Sequence, residues 1–313
     1  MRRYQASTIE LDRAEQQWWS DHGDLEEDYC WVQPPWEQRF LRHRYLRAIT
    51  EVVNRDSTVL EMGCGTGWLS LLLARLGVES VVGIDFSEEQ ISRARASARA
   101  AGLQRRAQFV IAGDDDHRIA HQVYDVVVMH AFLHHLSSQE IERSLAEAAS
   151  RLDPGGRLVV VEPLNDPHGP TVEPRALHLS RTLEGLPRRL HERGLRRMSP
   201  EEVMVRSRLS TRNVASSPFG PSPKELPFER EELRLLLSQH FDVVATRPAL
   251  CMSHLVAQEL LVAGLSQPRA SRMARRPILG LARALDRRFM AGTAPRPRTV
   301  WSFEVFVCKR RAP

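Results

Sequence analysis

Three alternating glycines stand at a predicted strand-to-helix corner of the chain. Gly63, Gly65 and Gly67 follow a short apolar run that contains Glu61, and a predicted helix begins directly after them. Glycine permits positive φ angles and lets a ligand lie against backbone N–H groups. A corner of this kind suits a phosphate, a dinucleotide or another nucleoside, so the glycines alone do not identify the ligand.

Acidic residues at the ends of three predicted strands narrow the choice of ligand. Glu61 ends the first strand, Asp85 the second, and Asp114 with its neighbour Asp115 the third. The carboxyl ends of parallel strands meet at one edge of a sheet, so these carboxylates are expected to lie close together. Carboxylates repel a pyrophosphate, whereas an ammonium group or ribose hydroxyls are favourable neighbours for them. The pattern therefore predicts a cationic nucleoside without phosphates.

Short apolar runs alternate with amphipathic helices along residues 57–164, which is typical of a parallel sheet wound with helices. Strands are predicted within residues 59–62, 78–85, 107–116, 124–136, 152–163, 242–247 and 299–309. Ser87 with Gln90, and Ser137 with Glu140, have the spacing of capping boxes at helix starts. Gly102 is expected to end the helix that follows Ser87.

Five segments in this order resemble the class I S-adenosylmethionine-dependent methyltransferases: VLEMGCGTGWLS, VVGIDFS, VIAGDDD, YDVVVMHAFLHHL and LDPGGRLVVVEP. They are most similar to the branch that includes ubiquinone/menaquinone and small-molecule methyltransferases, and the resemblance covers about residues 57–162. It implies an α/β, doubly wound, mostly parallel seven-stranded sheet of Rossmann-like type, with an antiparallel last strand and helical cap insertions. It also implies S-adenosyl-L-methionine as the cofactor, with no metal ion.

The resemblance assigns roles to single residues. Asp85 is expected to accept the ribose hydroxyls, Phe86 to lie on the adenine, and Asp114 to take the adenine amino group. The whole cofactor-binding set that it implies is Glu61, Gly63, Cys64, Gly65, Gly67, Asp85, Phe86, Asp114, Asp115, His130 and Ala131.

Three histidines beyond the fourth strand, His130, His134 and His135, are the candidates for a catalytic base. Methyl transfer from a sulfonium depends mainly on aligning the nucleophile with the methyl group. A general base helps when the acceptor is a hydroxyl, and a histidine is suited to that task at neutral pH. The sequence leaves open which histidine serves, and packing or cofactor contact are the alternatives for each.

Long insertions interrupt the alternating pattern, and loops of such length are usually lids or binding elements. The predicted organisation is an N-terminal helical and aromatic cap at 1–56, a cofactor-binding core at 57–164, a substrate-cap insertion at 165–228, a core helix and strand at 229–250, a basic amphipathic insertion at 251–298, and a final core strand at 299–313. In the N-terminal cap, Tyr29, Trp31 and Trp36 are the candidates for an apolar substrate wall.

Arginine dominates the basic residues, because only Lys224 and Lys309 are lysines among the 44 basic side chains. The basic amphipathic pattern at 269–290 fits peripheral contact with an anionic membrane, or a cap helix whose arginines are solvated. A cytoplasmic location is expected, since the first residues lack the apolar run of a signal peptide and no apolar window could span a bilayer. A nucleic-acid partner is not expected, and the oligomeric state does not follow from the sequence.

The predicted function is S-adenosylmethionine-dependent O-methylation of a small, apolar, lipid-like or secondary-metabolite acceptor. The fourth strand continues as MHAFLHHL and lacks the Asn/Asp-Pro-Pro-Tyr/Phe motif of many nucleic-acid and protein methyltransferases. Methylation at carbon or nitrogen, an RNA methyltransferase that uses the arginine-rich insertions, and a non-catalytic cofactor-binding partner stay open. A dinucleotide oxidoreductase is disfavoured, because the corner lacks G-x-G-x-x-G and carries Glu61.

Overall fold

The computed structural model describes residues 8–22, 49–113, 123–164, 222–224, 226–250 and 303–311. The described helices are α1 (Ile9–His22), α2 (Trp68–Arg75), α3 (Glu88–Ala100), α4 (Ser138–Arg151) and α5 (Arg230–Leu237). The strands are β1 (Thr58–Met62), β2 (Ser80–Asp85), β3 (Ala107–Ile111), β4 (Tyr124–His130), β5 (Leu152–Pro163), β6 (Phe241–Leu250) and β7 (Phe303–Arg310). A short 3₁₀ turn, Leu133–His135, follows β4.

The seven strands form one sheet in the order β3-β2-β1-β4-β5-β7-β6. β7 runs antiparallel to both of its neighbours, and the other pairs are parallel. The predicted fold, a mostly parallel seven-stranded sheet with an antiparallel last strand, is therefore confirmed. The chain winds outward from β1 to β3 and then crosses to β4, so strand order reverses between β1 and β4. In open α/β sheets a ligand crevice forms at such a reversal.

Apolar side chains fill both faces of the sheet, as parallel strands require. Along β4, Val126 and Val128 belong to one core cluster and Val127 and Met129 to the other. The first cluster also contains the apolar faces of α2 and α3, and the second those of α4 and α5. The helices thus cover both faces, and the carboxyl edge of the sheet stays accessible for a site.

The predicted helix caps are present with one difference. At α4, the Ser137 hydroxyl accepts the Glu140 N–H and the Glu140 carboxylate accepts the Ser137 N–H, which completes the predicted box. At α3, the Ser87 hydroxyl accepts the Gln90 N–H, but the Gln90 side chain donates to the carbonyl oxygen of Trp19 at 3.5 Å. Gln90 therefore ties α3 to α1, because α1 lies over this end of the sheet.

Most of the predicted cap lies outside the described residues. This holds for the substrate candidates Tyr29, Trp31 and Trp36, for the basic segment 269–290, and for most of the insertions at 165–228 and 251–298. The helix α1 belongs to the predicted N-terminal cap. Among the helices in the described ranges, none combines the length and the apolar character needed to traverse a bilayer.

The last glycine of the corner has a steric reason for its identity. Gly67 has a φ of 76°, and a Cβ added there would meet Phe109 Cε1 at 2.4 Å and Ala94 Cβ at 3.0 Å. Gly102 has a φ of 67°, but nothing lies within 4 Å of an added Cβ. Only Gly67 therefore combines backbone strain with overpacking.

We expect Gly67→Ala to lower the free energy of unfolding by about 2–5 kcal/mol, because left-handed backbone and overpacking each contribute. Gly102→Ala is the matched control and should lose only about 1–2 kcal/mol from its left-handed backbone. Urea unfolding followed by circular dichroism measures both values. Equal losses for the two variants would contradict the packing described here.

Candidate active site

A cavity of about 540 Å³ opens at the carboxyl edge of β1, β2 and β4. The glycine corner, the end of β2 and the turn after β4 form its floor, and α1 with residue Lys224 contributes to its walls. Trp18, Trp19, Met62 and Phe132 give it apolar surface. Among the predicted site residues with a described position, Gly67 is the one that does not line the cavity.

The glycine corner is held by the end of β2. The Gly63 and Cys64 N–H groups both donate to the carbonyl oxygen of Ile84, at 2.9 and 3.0 Å. An added Cβ on Gly63 would lie 2.2 Å from Phe132 Cδ2, so the corner also packs directly on the turn after β4. These contacts bring the predicted cofactor corner and the candidate catalytic turn into one site.

Asp85 fixes both the corner and the start of α3. Its Oδ2 accepts the Gly65 N–H and its Oδ1 accepts the Ser87 N–H, each at 2.9 Å. Burial raises the pKa of Asp85 although these N–H groups act to lower it. Each carboxylate oxygen has a second lone pair, which suits the predicted bonds to ribose hydroxyls. Phe86 is 41% exposed and lines the same cavity, so its ring is available to an adenine.

Glu61 supplies the cap that α2 lacks. The N-cap residue Gly67 has no side chain, and the buried Glu61 Oε2 accepts the Ser70 N–H at 3.0 Å and the Ser70 hydroxyl at 2.5 Å. This bond satisfies an N–H in the first turn of the helix and places a negative charge at its positive end. The side chain also lines the cavity, where the sequence predicts the methionine part of the cofactor.

A buried carboxylate that the sequence analysis did not single out, Glu162 at the end of β5, anchors the turn after β4. Its Oε1 accepts the N–H groups of Phe132 and Leu133 at 2.9 and 2.7 Å, and its Oε2 lies 2.6 Å from His134 Nδ1. Burial raises the pKa of Glu162 to about 7, against the lowering effect of these N–H groups. Near neutral pH the carboxyl group and His134 therefore share a proton.

His135 faces a second buried carboxylate, which belongs to α1. Its Nδ1 lies 2.9 Å from the Ser222 hydroxyl oxygen and 3.0 Å from Glu15 Oε1. The ring of Trp19 packs edge-on to the imidazole, with centroids 5.3 Å apart. The sequence analysis named neither Glu15 nor Ser222. Glu162 could have been found, because it ends a predicted strand at the same edge as Asp85, but no local signal links Glu15 and Ser222 across 207 residues.

His130 is suited to a contact role more than to proton transfer. It is 7% exposed, and its ring packs edge-on to Trp68 at a centroid distance of 5.3 Å. Burial, together with the charge of the nearby His134, lowers the pKa of His130 to about 3. A base this weak holds no proton at neutral pH. Of the remaining predicted residues, Ala131 lines the cavity with a φ of 49°, and Asp114 and Asp115 lie outside the described residues.

Comparison with known proteins identifies the central segment. Residues 59–156, from β1 into β5, match the family model described as "Methyltransferase domain". Residues 59–156 are a methyltransferase domain. The crystal structure of the [4+2]-cyclase SpnF superimposes over 100% of both chains with a TM-score of 0.53 and 15% identity, which shows a shared fold. The predictions of a class I methyltransferase domain with S-adenosylmethionine as its cofactor are confirmed.

Curated relatives match the methyltransferase domain and little else. The ribosomal protein L11 methyltransferase of Dechloromonas aromatica (strain RCB) is 34% identical over 109 residues, which are 34% of this chain and 33% of the relative. Methyltransferase GfsG of Streptomyces halstedii is 30% identical over 111 residues, which are 35% of this chain and 39% of the relative. In these two matches the chain spans about a third to two fifths of the relative's length. The similarity thus concerns the domain that carries the glycine corner.

The anchoring of the corner by Asp85 predicts a binding defect. We expect Asp85→Ala to weaken the binding of S-adenosylhomocysteine about tenfold to a hundredfold, because two N–H groups and the ribose hydroxyls lose their acceptor. Isothermal titration calorimetry measures the affinity. Asp125→Ala removes a carboxylate that binds Thr58 at the opposite edge of the sheet, and it is the control. Equal affinities of the Asp85 variant and wild type would contradict the assignment.

The raised pKa of Glu162 predicts how stability depends on pH. The folded state keeps a proton up to about pH 7 that the unfolded state releases near its ordinary pKa of 4.5, so stability falls as the pH rises through this window. We expect Glu162→Gln to remove about 3 kcal/mol of this pH dependence. Urea unfolding between about pH 5 and pH 8 measures it, with Glu89→Gln, an exposed partner of Arg93, as the control. An unchanged dependence in the Glu162 variant would show that the carboxyl group is already ionised at low pH.

Proposed function

We propose that this protein transfers the methyl group of S-adenosylmethionine to the hydroxyl oxygen of a small, apolar acceptor of lipid-like or secondary-metabolite type. The observation that supports this most directly is the histidine pair after β4. His134 and His135 line the cavity beside the glycine corner, and each has its own carboxylate partner, Glu162 and Glu15. Paired imidazoles of this kind suit an acceptor that has to lose a proton.

The cavity walls fit an apolar acceptor. Two tryptophans of α1, with Phe132 and Leu136 of the turn after β4, line the part of the cavity near the histidines. Aromatic walls bind apolar and aromatic ligands and exclude water from the reacting atoms. Exclusion of water strengthens the interaction between a developing charge and the imidazole.

The residues of the chain have three tasks in this reaction. When bound, the cofactor supplies an electrophilic methyl group on a positively charged sulfur. The corner and Asp85 hold the nucleoside, and the aromatic walls align the acceptor hydroxyl, which can contribute roughly 7–11 kcal/mol through orientation. An imidazole accepts the hydroxyl proton as the oxygen–carbon bond forms. The carboxylate behind that imidazole fixes its tautomer and stabilises the imidazolium.

The acceptors named for the relatives do not transfer directly to this chain. The L11 methyltransferases act, by their names, on a ribosomal protein, but their similarity ends within the methyltransferase domain. Here the acceptor side of the cavity is built partly from α1 and Lys224, which lie outside that segment. These walls are the reason to propose a small apolar acceptor.

The proposal predicts that replacing the base abolishes most of the activity. With tritiated S-adenosylmethionine and a panel of apolar phenols and long-chain alcohols, we expect transfer to a hydroxyl by the wild type. His134→Gln and His135→Gln test the pair, and kcat should fall about a hundredfold to ten-thousandfold for the variant that lacks the base. Cofactor affinity should change little, because neither imidazole is assigned to the nucleoside.

His240→Gln is the matched control, since His240 lies on the surface and bonds to Glu142 at 2.8 Å. Its kcat should equal that of the wild type. Transfer to matched amines or to ribosomal protein L11, with none to the hydroxyl panel, would contradict O-methylation. Unchanged kcat in both active-site variants would contradict the base mechanism.

A further inference from the structure

Glu15 of α1 is a buried carboxylate with an unusually complete set of donors. It is 3% exposed, and its Oε1 accepts the indole N–H of Trp19 at 2.9 Å and the hydroxyl of Ser222 at 2.8 Å. Its Oε2 accepts the backbone N–H of Lys224 at 2.8 Å, and His135 Nδ1 lies 3.0 Å from Oε1. Such a ring of donors stabilises the charged form of a carboxylate.

The balance of two effects keeps Glu15 ionised. Burial acts to raise the pKa of Glu15, but the hydrogen bond and charge of His135, with the bonds from Lys224 and Ser222, hold it below its ordinary value. Glu15 is therefore an acceptor only, at every pH where a histidine titrates.

Counting the protons in this cluster assigns the tautomer of His135. The Ser222 hydroxyl has one proton, and it donates that proton to Glu15 Oε1. Ser222 therefore has none left to donate to His135 Nδ1, although the two atoms lie 2.9 Å apart. A bare Nδ1 would face the lone pairs of both the hydroxyl and the carboxylate. The proton of the neutral imidazole must then reside on Nδ1, which makes Nε2 the basic nitrogen.

We propose that Glu15 is the positioning residue that makes His135 the catalytic base, so that the active site is complete only when α1 is docked on the core. This inference rests on the proposed function, because it names which histidine of the pair accepts the hydroxyl proton. Glu15 acts through His135, whose Nδ1–H it holds, and Nε2 is then the atom that accepts a proton.

The other histidine of the pair is less suited to be the base. The partner of His134, Glu162, also accepts two backbone N–H groups, so this pair anchors the turn. The pKa of Glu162, raised to about 7 by burial, leaves it partly protonated where a base must work. His134 is also the more buried of the two, with 6% of its side chain exposed against 14% for His135.

Further contacts seat α1 in this position. Lys224 forms ion pairs with Asp12 of α1 and with Glu140 of α4, the latter at 3.0 Å. The Gln90 side chain of α3 donates to the Trp19 carbonyl oxygen on the other side. Because residues 222–224 bridge α1 and α4, the docking of α1 brings Glu15 and Ser222 to His135 together.

The test reads the tautomer directly, by ¹⁵N NMR of the imidazole side chains in the full chain without acceptor. The His135 signals are assigned by their loss in His135→Gln. We expect wild-type His135 to carry its proton on Nδ1, and Glu15→Gln to shift it toward the Nε2–H form that free histidine prefers. Glu10→Gln, an exposed residue of the same helix, should leave the spectrum unchanged.

Kinetics supply the second measurement. Glu15→Gln should lower kcat about tenfold to a hundredfold, as loss of an orienting partner does, with the KM for S-adenosylmethionine little changed. Glu15→Asp, which restores the charge, should recover part of that loss. Circular dichroism confirms that each variant is folded.

A wild-type His135 with its proton on Nε2 would overturn the inference even if no Glu15 variant folds. An unchanged tautomer in Glu15→Gln, or a kcat equal to that of wild type, would overturn it as well. The failure of the proposed function is seen separately, as the absence of methyl transfer by the wild type, because the tautomer is measured without any acceptor.

Discussion

Burial of carboxylates against backbone N–H groups is the interaction on which the site depends. Three strands end in an acid, and each acid binds the segment that enters the site: Glu61 binds the first turn of α2, Asp85 binds the glycine corner, and Glu162 binds the turn after β4. Burial raises the pKa of Asp85 and of Glu162, so the N–H bonds offset only part of the desolvation. The same charges that suit a cationic nucleoside therefore also shape the cavity that receives it.

The catalytic side of the cavity is assembled from distant parts of the chain. The methyltransferase domain supplies the two histidines, but Glu15 comes from α1 and Ser222 from a segment more than 200 residues further along, by the 207-residue separation of the two. Since the relatives share only the domain, the acceptor side belongs to regions in which this chain differs from them. Cofactor binding and acceptor choice thus have separate structural origins.

The sequence predicted the parts that local patterns determine. The alternation of apolar runs and helices was enough for the sheet, and the strand-end acids with the glycines were enough for the cofactor corner. The partners of the histidines were not predictable in the same way, because Glu15 is an ordinary acid within an amphipathic helix. Gln90 shows the limit on a smaller scale, since its spacing predicted a capping box but its side chain binds α1. Tertiary contacts decided both cases.

The central claim is that the strand-end carboxylates hold a phosphate-free adenosine derivative beside the paired histidines. A crystal structure of the chain with S-adenosylhomocysteine tests it most directly. The account predicts ribose hydroxyls within hydrogen-bond distance of Asp85, the adenine on Phe86, and the sulfur facing the turn that carries His134 and His135. An empty corner in those crystals, together with a pyrophosphate-containing dinucleotide bound there after soaking, would contradict it.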